Sequence, residues 1–416
     1  MKRSQESEED ERREEADMKF PVLPHAYLLD TANMRGDNMK QITRCTRCIM
    51  DNRSDDTITF DAEGCCNYCT EALEWGKTVY FPGEQGKEKL DALLKKVKEE
   101  GRGKPFDCIM GLSGGLDSSY LAYLGYQWGL RILAVHIDDG FDTEVSKRNL
   151  EKLVKKTGLK YVVITPDAEQ FAELTKAYMK AGVPNIAAPQ DNVLFAEIYQ
   201  YMRKYRIKYF LSGANYALES ILQKGNTISA YDLVNLKDIF RKCGKGSIDK
   251  LPLISTTQRY IDKLILGIES PRPLDYIDYN RDRAFAELKE FCDFEYYGRK
   301  HLENALTAFI QLVWFPQKFG VDKRTSHLSS MIISGQMSRE EALTQMEEPL
   351  YDAALMDDYI TWIKRKFRIS DEEFEELMNS QPHQHTDYRS ETVWLEPVKK
   401  VYHLIKKLAK RSFRQK

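Results

Sequence analysis

The sequence predicts an α/β protein built on a doubly wound parallel sheet, preceded by a four-cysteine metal module and followed by a helical part. Three observations carry that expectation. From Phe106 onward, short apolar runs alternate with helical stretches at βαβ spacing. The first run leads directly into Gly111-Leu112-Ser113-Gly114-Gly115-Leu116-Asp117-Ser118-Ser119, a loop of glycines and hydroxyls that opens a helix. Ahead of it stand two Cys-x2-Cys pairs, Cys45/Cys48 and Cys66/Cys69, with seventeen residues between them.

Residues 1–40 form a mixed-charge tail, expected to be disordered. Residues 41–80 form the metal module, a zinc ribbon. Each cysteine pair closes a tight knuckle, and four thiolates meet in the tetrahedron that Zn2+ prefers. An iron–sulfur cluster uses the same ligand set. Cys65 reads as a spare thiol or as a replacement for Cys66. A module this small folds when metallated, and it is assigned no catalysis. Residues 81–330 form the sheet domain. Within it a helical apolar period covers 87–97, strands are expected at 106–112, 131–137, 161–165 and 209–212, and helices at 118–128, 143–157 and 190–205. Ligands of such sheets bind beyond the carboxyl ends of the strands, where strand order reverses. The loops 113–119, 138–142 and 212–220 therefore border the expected site.

Residues 284–316 read as helical and aromatic-rich. Residues 331–390 form the helical part, with two acidic helices over 338–378, and Ser338-Arg339-Glu340-Glu341 fits a capping box. In the basic tail 391–416, Val401, Leu404, Ile405 and Leu408 share one helical face, opposite Lys399, Lys406 and Arg411. That helix either packs its stripe on the protein or makes weak contact with an anionic membrane surface.

Composition narrows the function classes. The chain has 416 residues, 42% of them hydrophobic, enough for two or three domains with full cores. No apolar run approaches membrane-spanning length, and Met1 to Lys19 is too charged for a secretory signal. A formal net charge of −2 gives no general pull toward nucleic acid. Eight cysteines in such a chain indicate metal or free thiols rather than a disulfide framework, and so a cytoplasmic protein.

The glycine–hydroxyl loop makes an anion cradle. Gly114 and Gly115 let backbone N–H groups approach a ligand, the helix N-terminus adds partial positive charge, and Ser113, Ser118 and Ser119 offer hydroxyl donors. The glycines are adjacent, no Gly-Lys-Ser/Thr ending follows, and an aspartate lies inside, so this is not a Walker loop. Ser-Gly-Gly-x-Asp-Ser resembles the pyrophosphate loop (PP-loop) of the ATP pyrophosphatases, which split ATP into AMP and pyrophosphate. Asp117 would repel a bare triphosphate, which marks it as a Mg2+ ligand; a helix cap is the other reading. At the end of the second strand, backbone groups suit adenine and Asp138 reaches toward ribose, while His136 borders that site or packs in the core. Gly213 allows close ligand approach, or simply makes a turn.

From about Arg44 to Tyr351 the chain resembles the N-acetyl sugar amidotransferases of bacterial surface-polysaccharide biosynthesis. The likeness rests on Cys45-Thr46-Arg47-Cys48-Ile49-Met50-Asp51, the phosphate loop, Leu211-Ser212-Gly213, the 231–239 stretch, Tyr297-Gly298-Arg299-Lys300-His301 and the 319–330 block. The resemblance implies an adenine nucleotide alpha hydrolase-like fold that uses ATP, Mg2+ and Zn2+. The implied reaction adenylylates the acetamido group of an N-acetylated, nucleotide-activated sugar; ammonia then displaces AMP to leave an acetamidino group, as in lipopolysaccharide and O-antigen synthesis. Lys323 and Arg324 become candidates to bind pyrophosphate or an anion of the sugar, or else form a surface pair. Asn235, Lys237, His301 and His327 are weaker candidates for the sugar pocket. No glutaminase triad is evident, so the resemblance implies separate glutaminase and cyclase-like subunits as the ammonia source.

Two other readings compete. A tRNA-modifying PP-loop enzyme shares the loop and the cysteine pairs. However, the chain is slightly acidic, residues 212–220 lack a histidine and paired aspartates, and only Cys108 and Cys243 are obvious persulfide carriers. A non-catalytic ATP-binding scaffold would be expected to show a decayed loop, whereas this one is intact.

Overall fold

The computed structural model describes residues 42–298 and 302–391. The expected N-terminal tail, His301 and the basic tail beyond Glu391 lie outside them. The central sheet is parallel: β1 (Cys108–Gly111), β2 (Ile132–Ile137) and β3 (Lys160–Ile164) pair in that order. In register, Cys108 lies opposite Ile132 and Val135 opposite Val162. On the other side of β1, residues 209–211 run parallel to it, with Leu211 N–H donating to Ile109 O at 2.9 Å and Glu269 bridging Tyr209 beyond. The spatial order therefore reverses at β1, as a doubly wound sheet requires. The expected fourth strand is reduced to isolated bridges. Its neighbour contributes Pro271, whose carbonyl accepts from Ser212 but which has no N–H to continue the ladder.

Helices cover both faces because strand side chains alternate. Cys108 and Met110 pack with Leu121 of α3 (Leu116–Gln127), Leu153 of α4 (Glu144–Thr157) and Leu288 of a later helix (Arg281–Cys292). Ile109, Leu133 and Val135 pack with Ile198 and Met202 of α6 (Ala188–Tyr205). A helix absent from the sequence expectation, α5 (Ala168–Lys180), joins a second core with Trp314, Ile363 and Phe374. Two helices open the described chain, α1 (Asn67–Val79) and α2 (Glu84–Glu100).

The carboxyl-terminal half departs most from expectation. The 284–316 stretch is broken: Asp293 adopts φ 53° and ends its helix, and a π-helical segment runs from Ile310 to Phe319. It is followed by Arg324–Ile333, Arg339–Glu347, Ala353–Phe367 and Asp371–Asn379, three helices over 338–378 rather than two. The Ser338/Glu341 capping box is present in both directions. Among the described residues no helix is long and apolar enough to cross a membrane.

Candidate active site

The phosphate loop sits at the carboxyl end of β1 and caps α3. Gly114 adopts φ +82°, and a Cβ there would stand 2.3 Å from Ser146 Oγ, so the loop turns tightly onto α4. Ser146 Oγ in turn donates to Ser113 O at 3.0 Å. Gly115 begins α3 without a side-chain cap of its own, and the first helical N–H, that of Leu116, goes to the Tyr297 hydroxyl. A Cβ on Gly115 would stand 2.4 Å from Glu303 Oε1. Ser113 and Ser118 hydroxyls lie 3.2 Å apart, and Ser113 Oγ donates to Glu303 Oε1 at 3.4 Å.

A cavity of about 500 Å³ opens over this loop and the ends of β1, β2 and residues 210–214. Ser113, Gly115, Asp117, Ser118, His136 and Gly213 all line it. A Cβ on Gly213 would come within 3.3 Å of Ser118 N, so the glycine holds the two loops together. Three of the expected residues do not line this cavity. Gly114 faces Ser146 rather than the cavity. Ser119 is fully buried on the inner side of α3, one helical step round from Ser118, and its hydroxyl finds no partner among the described residues. Asp138 spends its carboxylate on the N–H of Gly140 at 2.9 Å; the carboxylate that this loop presents to the cavity is Asp142.

His136 lines the cavity and is also buried. One ring nitrogen lies 2.8 Å from Leu112 O and the other 2.7 Å from Asp142 Oδ2. Burial, the largest influence, lowers its pKa, but the Asp142 carboxylate and Leu112 carbonyl outweigh it and raise the value above the ordinary histidine range. Asp191, on the same wall, is pushed up to about 6 by burial.

A second cavity of about 450 Å³ adjoins the first, and Leu116, Asp117, Tyr297 and Gln311 line both. Its wall is largely apolar, with Phe285, Phe294 and Met331, and Lys323, Arg324 and His327 also line it. Lys323 Nζ donates to Gln223 Oε1 at 3.0 Å and lies 4.7 Å above the Phe315 ring; burial lowers its pKa to about 8. Arg324 is already committed: its guanidinium grips Asp322 at 2.8 Å and donates to Glu348 O. Asn235 is a buried structural residue bonded to His385 O and Arg389 O, and Lys237 is exposed; neither lines a cavity. Cys108 and Cys243 line neither cavity.

Functional groups that the sequence reading missed come from far along the chain. Tyr279 donates to Asp117 Oδ1, Tyr297 accepts the N–H of Leu116 at 2.7 Å, and Glu303 meets Ser113 across 190 residues. Only Tyr297 had a local pointer, since it opens the Tyr-Gly-Arg-Lys-His block.

The Sγ atoms of Cys45, Cys48, Cys66 and Cys69 all lie within 4.8 Å of one another, and all four residues are fully buried. Closest pairs are 3.6 and 3.7 Å. A tetrahedron with metal–sulfur bonds of about 2.3 Å has edges near 3.8 Å, so the cluster fits Zn2+. Arg47 donates to Cys69 Sγ at 3.5 Å, and Cys66 Sγ caps α1 by accepting the N–H of Cys69. Cys65 stands outside the cluster, against Thr46 Oγ1. The second knuckle opens a helix, and residues 42–80 of the module are tied by the isolated bridges Arg44–Asp51 and Phe60–Cys66.

Residues 303–403 match the family of the LPS biosynthesis protein WbpG-like C-terminal domain. That region begins at Glu303 and holds Lys323 and Arg324, and the match agrees with the resemblance to surface-polysaccharide enzymes. An uncharacterized protein of Methanocaldococcus jannaschii is 19% identical over 307 residues, covering 74% of this chain and 94% of its own. Among solved structures, NMN synthetase from Francisella tularensis aligns at 20% identity and TM-score 0.27, over 54% of this chain and 92% of its own. NH3-dependent NAD synthetase from Campylobacter jejuni aligns at 13% identity and TM-score 0.26, over 50% and 93%.

Proposed function

We propose, from the match of residues 303–403 to the WbpG-like domain family, that the chain is an ATP-dependent, AMP-forming enzyme of surface-polysaccharide biosynthesis that converts an acetamido sugar into an acetamidino sugar. The observation that carries the reading is the pair of adjoining cavities with Asp117 on their common wall. One is floored by an anion cradle; the other is largely apolar, with the Lys323 cation on its wall, and suits a sugar bearing an anionic group.

In the reaction, the acetamide oxygen attacks the α-phosphorus and the bond to pyrophosphate breaks. Ammonia then attacks the imidate carbon, the C–O bond breaks, and AMP leaves with the substrate's oxygen while nitrogen gives up a proton. The positive end of α3 and the hydroxyls of Ser113 and Ser118 hold the pyrophosphate, and Lys323 holds the acceptor's anion. Mg2+ held by Asp117 and Glu303 would neutralise the triphosphate. Ammonia would come from separate glutaminase and cyclase-like subunits.

The test is turnover of ATP with Mg2+, ammonium and a panel of nucleotide-activated acetamido sugars, with products read by mass spectrometry. Expected products are AMP and a sugar in which oxygen is replaced by NH, and oxygen-18 in the acetamide should appear in AMP. Asp117→Asn should lower the rate by roughly 100-fold or more. AMP formation that required tRNA instead of a sugar would sink the proposal.

A further inference from the structure

We infer that Tyr297 is a catalytic residue whose hydroxyl donates a hydrogen bond to the α-phosphate of the nucleotide, carrying the positive end of α3 to the phosphorus that changes partners. The inference rests on the reaction proposed above. A transfer that joins an atom of one ligand to the phosphorus of another requires that phosphorus at the boundary of their two cavities. Leu116, Asp117, Tyr297 and Gln311 form that boundary. The Leu116 side chain offers no polar atom, and the Asp117 carboxylate has no hydrogen to donate and accepts from Tyr279. Among the described residues, the neutral side-chain donors at the boundary are therefore Tyr297 and Gln311.

Tyr297 has the stronger claim. Its oxygen accepts the N–H of Leu116, the first residue of α3, at 2.7 Å. That N–H has no acceptor within the helix and lies at the positive end of its dipole. A hydroxyl that accepts such a bond is polarised into a better donor. Leu116 is its one hydrogen-bond partner among the described residues, so the hydroxyl hydrogen is left for a ligand. An ordinary tyrosine keeps its proton at neutral pH, and burial works in the same direction here. Phe294 and Tyr296 flank the ring and fix its direction. The α-phosphoryl oxygens carry negative charge both when pyrophosphate departs and when AMP departs, and one fixed neutral donor serves both steps.

Tyr297→Phe removes the hydroxyl and keeps the ring packing. AMP formation should fall by roughly 10–100-fold, the size of one hydrogen bond to a charged group. A merely structural role would lower the rate too, so the deciding readout is stereochemical. A donor aimed at one of the two non-bridging α-oxygens makes the Rp and Sp forms of ATPαS bind unequally, because sulfur accepts poorly. Calorimetry on the intact chain should show roughly tenfold discrimination in the wild type and near-equal affinities in Tyr297→Phe. No discrimination in the wild type, or a ratio unchanged by the substitution, overturns the inference. A collapsed ratio, with no acetamido sugar supporting AMP formation in the wild type, leaves the α-phosphate contact standing and defeats the sugar reaction instead.

Discussion

Gly114 is the residue on which the anion cradle turns. Two costs would follow from a side chain there: φ +82° strains any L-residue, and a Cβ would press on Ser146 Oγ at 2.3 Å and on its carbonyl oxygen at 2.9 Å. Gly103 separates them, since its φ is +76° with nothing within 4 Å. Gly103→Ala should cost about 1 kcal/mol in urea unfolding, and Gly114→Ala about 1–2 kcal/mol more. The excess should be accompanied by weaker ATP binding. Equal costs for the two variants would show that the loop gives way without distorting the cradle.

At the scale of elements, the segment 383–391 straps the carboxyl-terminal helices to the helix Leu233–Cys243. His385 is its buried anchor: its Nδ1–H donates to Asn235 Oδ1 at 3.1 Å, and its Nε2 accepts the N–H of Asn185 at 3.3 Å. Both nitrogens are satisfied by the neutral ring, and burial lowers the pKa to about 4 from the ordinary 6.5. The unfolded chain therefore binds this proton more tightly than the folded one. Stability should be lost as pH falls from 6.5 through about 4, by up to about 3 kcal/mol, and should level off below. In urea titrations across that range, His385→Gln should be less stable at pH 7 but lack this share of the acid sensitivity. An identical pH profile in the variant would contradict the assignment.

On the scale of the whole molecule, the cysteine knuckles are joined to the wall of the second cavity. Arg339 donates to the carbonyls of Cys48 and Cys45 at 3.0 and 3.1 Å, and Ser329 Oγ accepts from Ile49 N. Beyond the cysteines, Ser54 O accepts from Asn226, Asp55 from Gly225 and Tyr68 OH from Lys224 N, which pins the loop bearing Gln223, the partner of Lys323. Cys48→Ser should lose bound zinc and speed amide exchange in 223–226 and 324–333, while ATP still binds. Zinc loss without faster exchange in those segments would show the module to be independent of the second cavity.

Much of the fold was legible from residues close together in the chain. Short apolar runs alternating with helical stretches located β1, β2, β3 and the helices around them, the Gly114-Gly115 pair marked the cradle, and the spacing of Cys45, Cys48, Cys66 and Cys69 marked the cysteine cluster. Their causes are local: backbone conformations open to glycine, the apolar content of short segments, and ligands carried on tight turns. Other outcomes needed the folded chain. Ser118 and Ser119 are adjacent and chemically identical, yet only the packing of α3 decides which one faces the cavity. Lys323 and Arg324 are likewise a simple basic pair until Asp322 occupies one and Gln223 and Phe315 hold the other on the cavity wall. Tyr297 and Glu303 reach the loop across 181 and 190 residues. Sequence alone determined which segments can bind anions and metal; tertiary structure decided which side chains meet there, because such meetings are set by burial of surfaces distant in the chain rather than by any neighbour's preference.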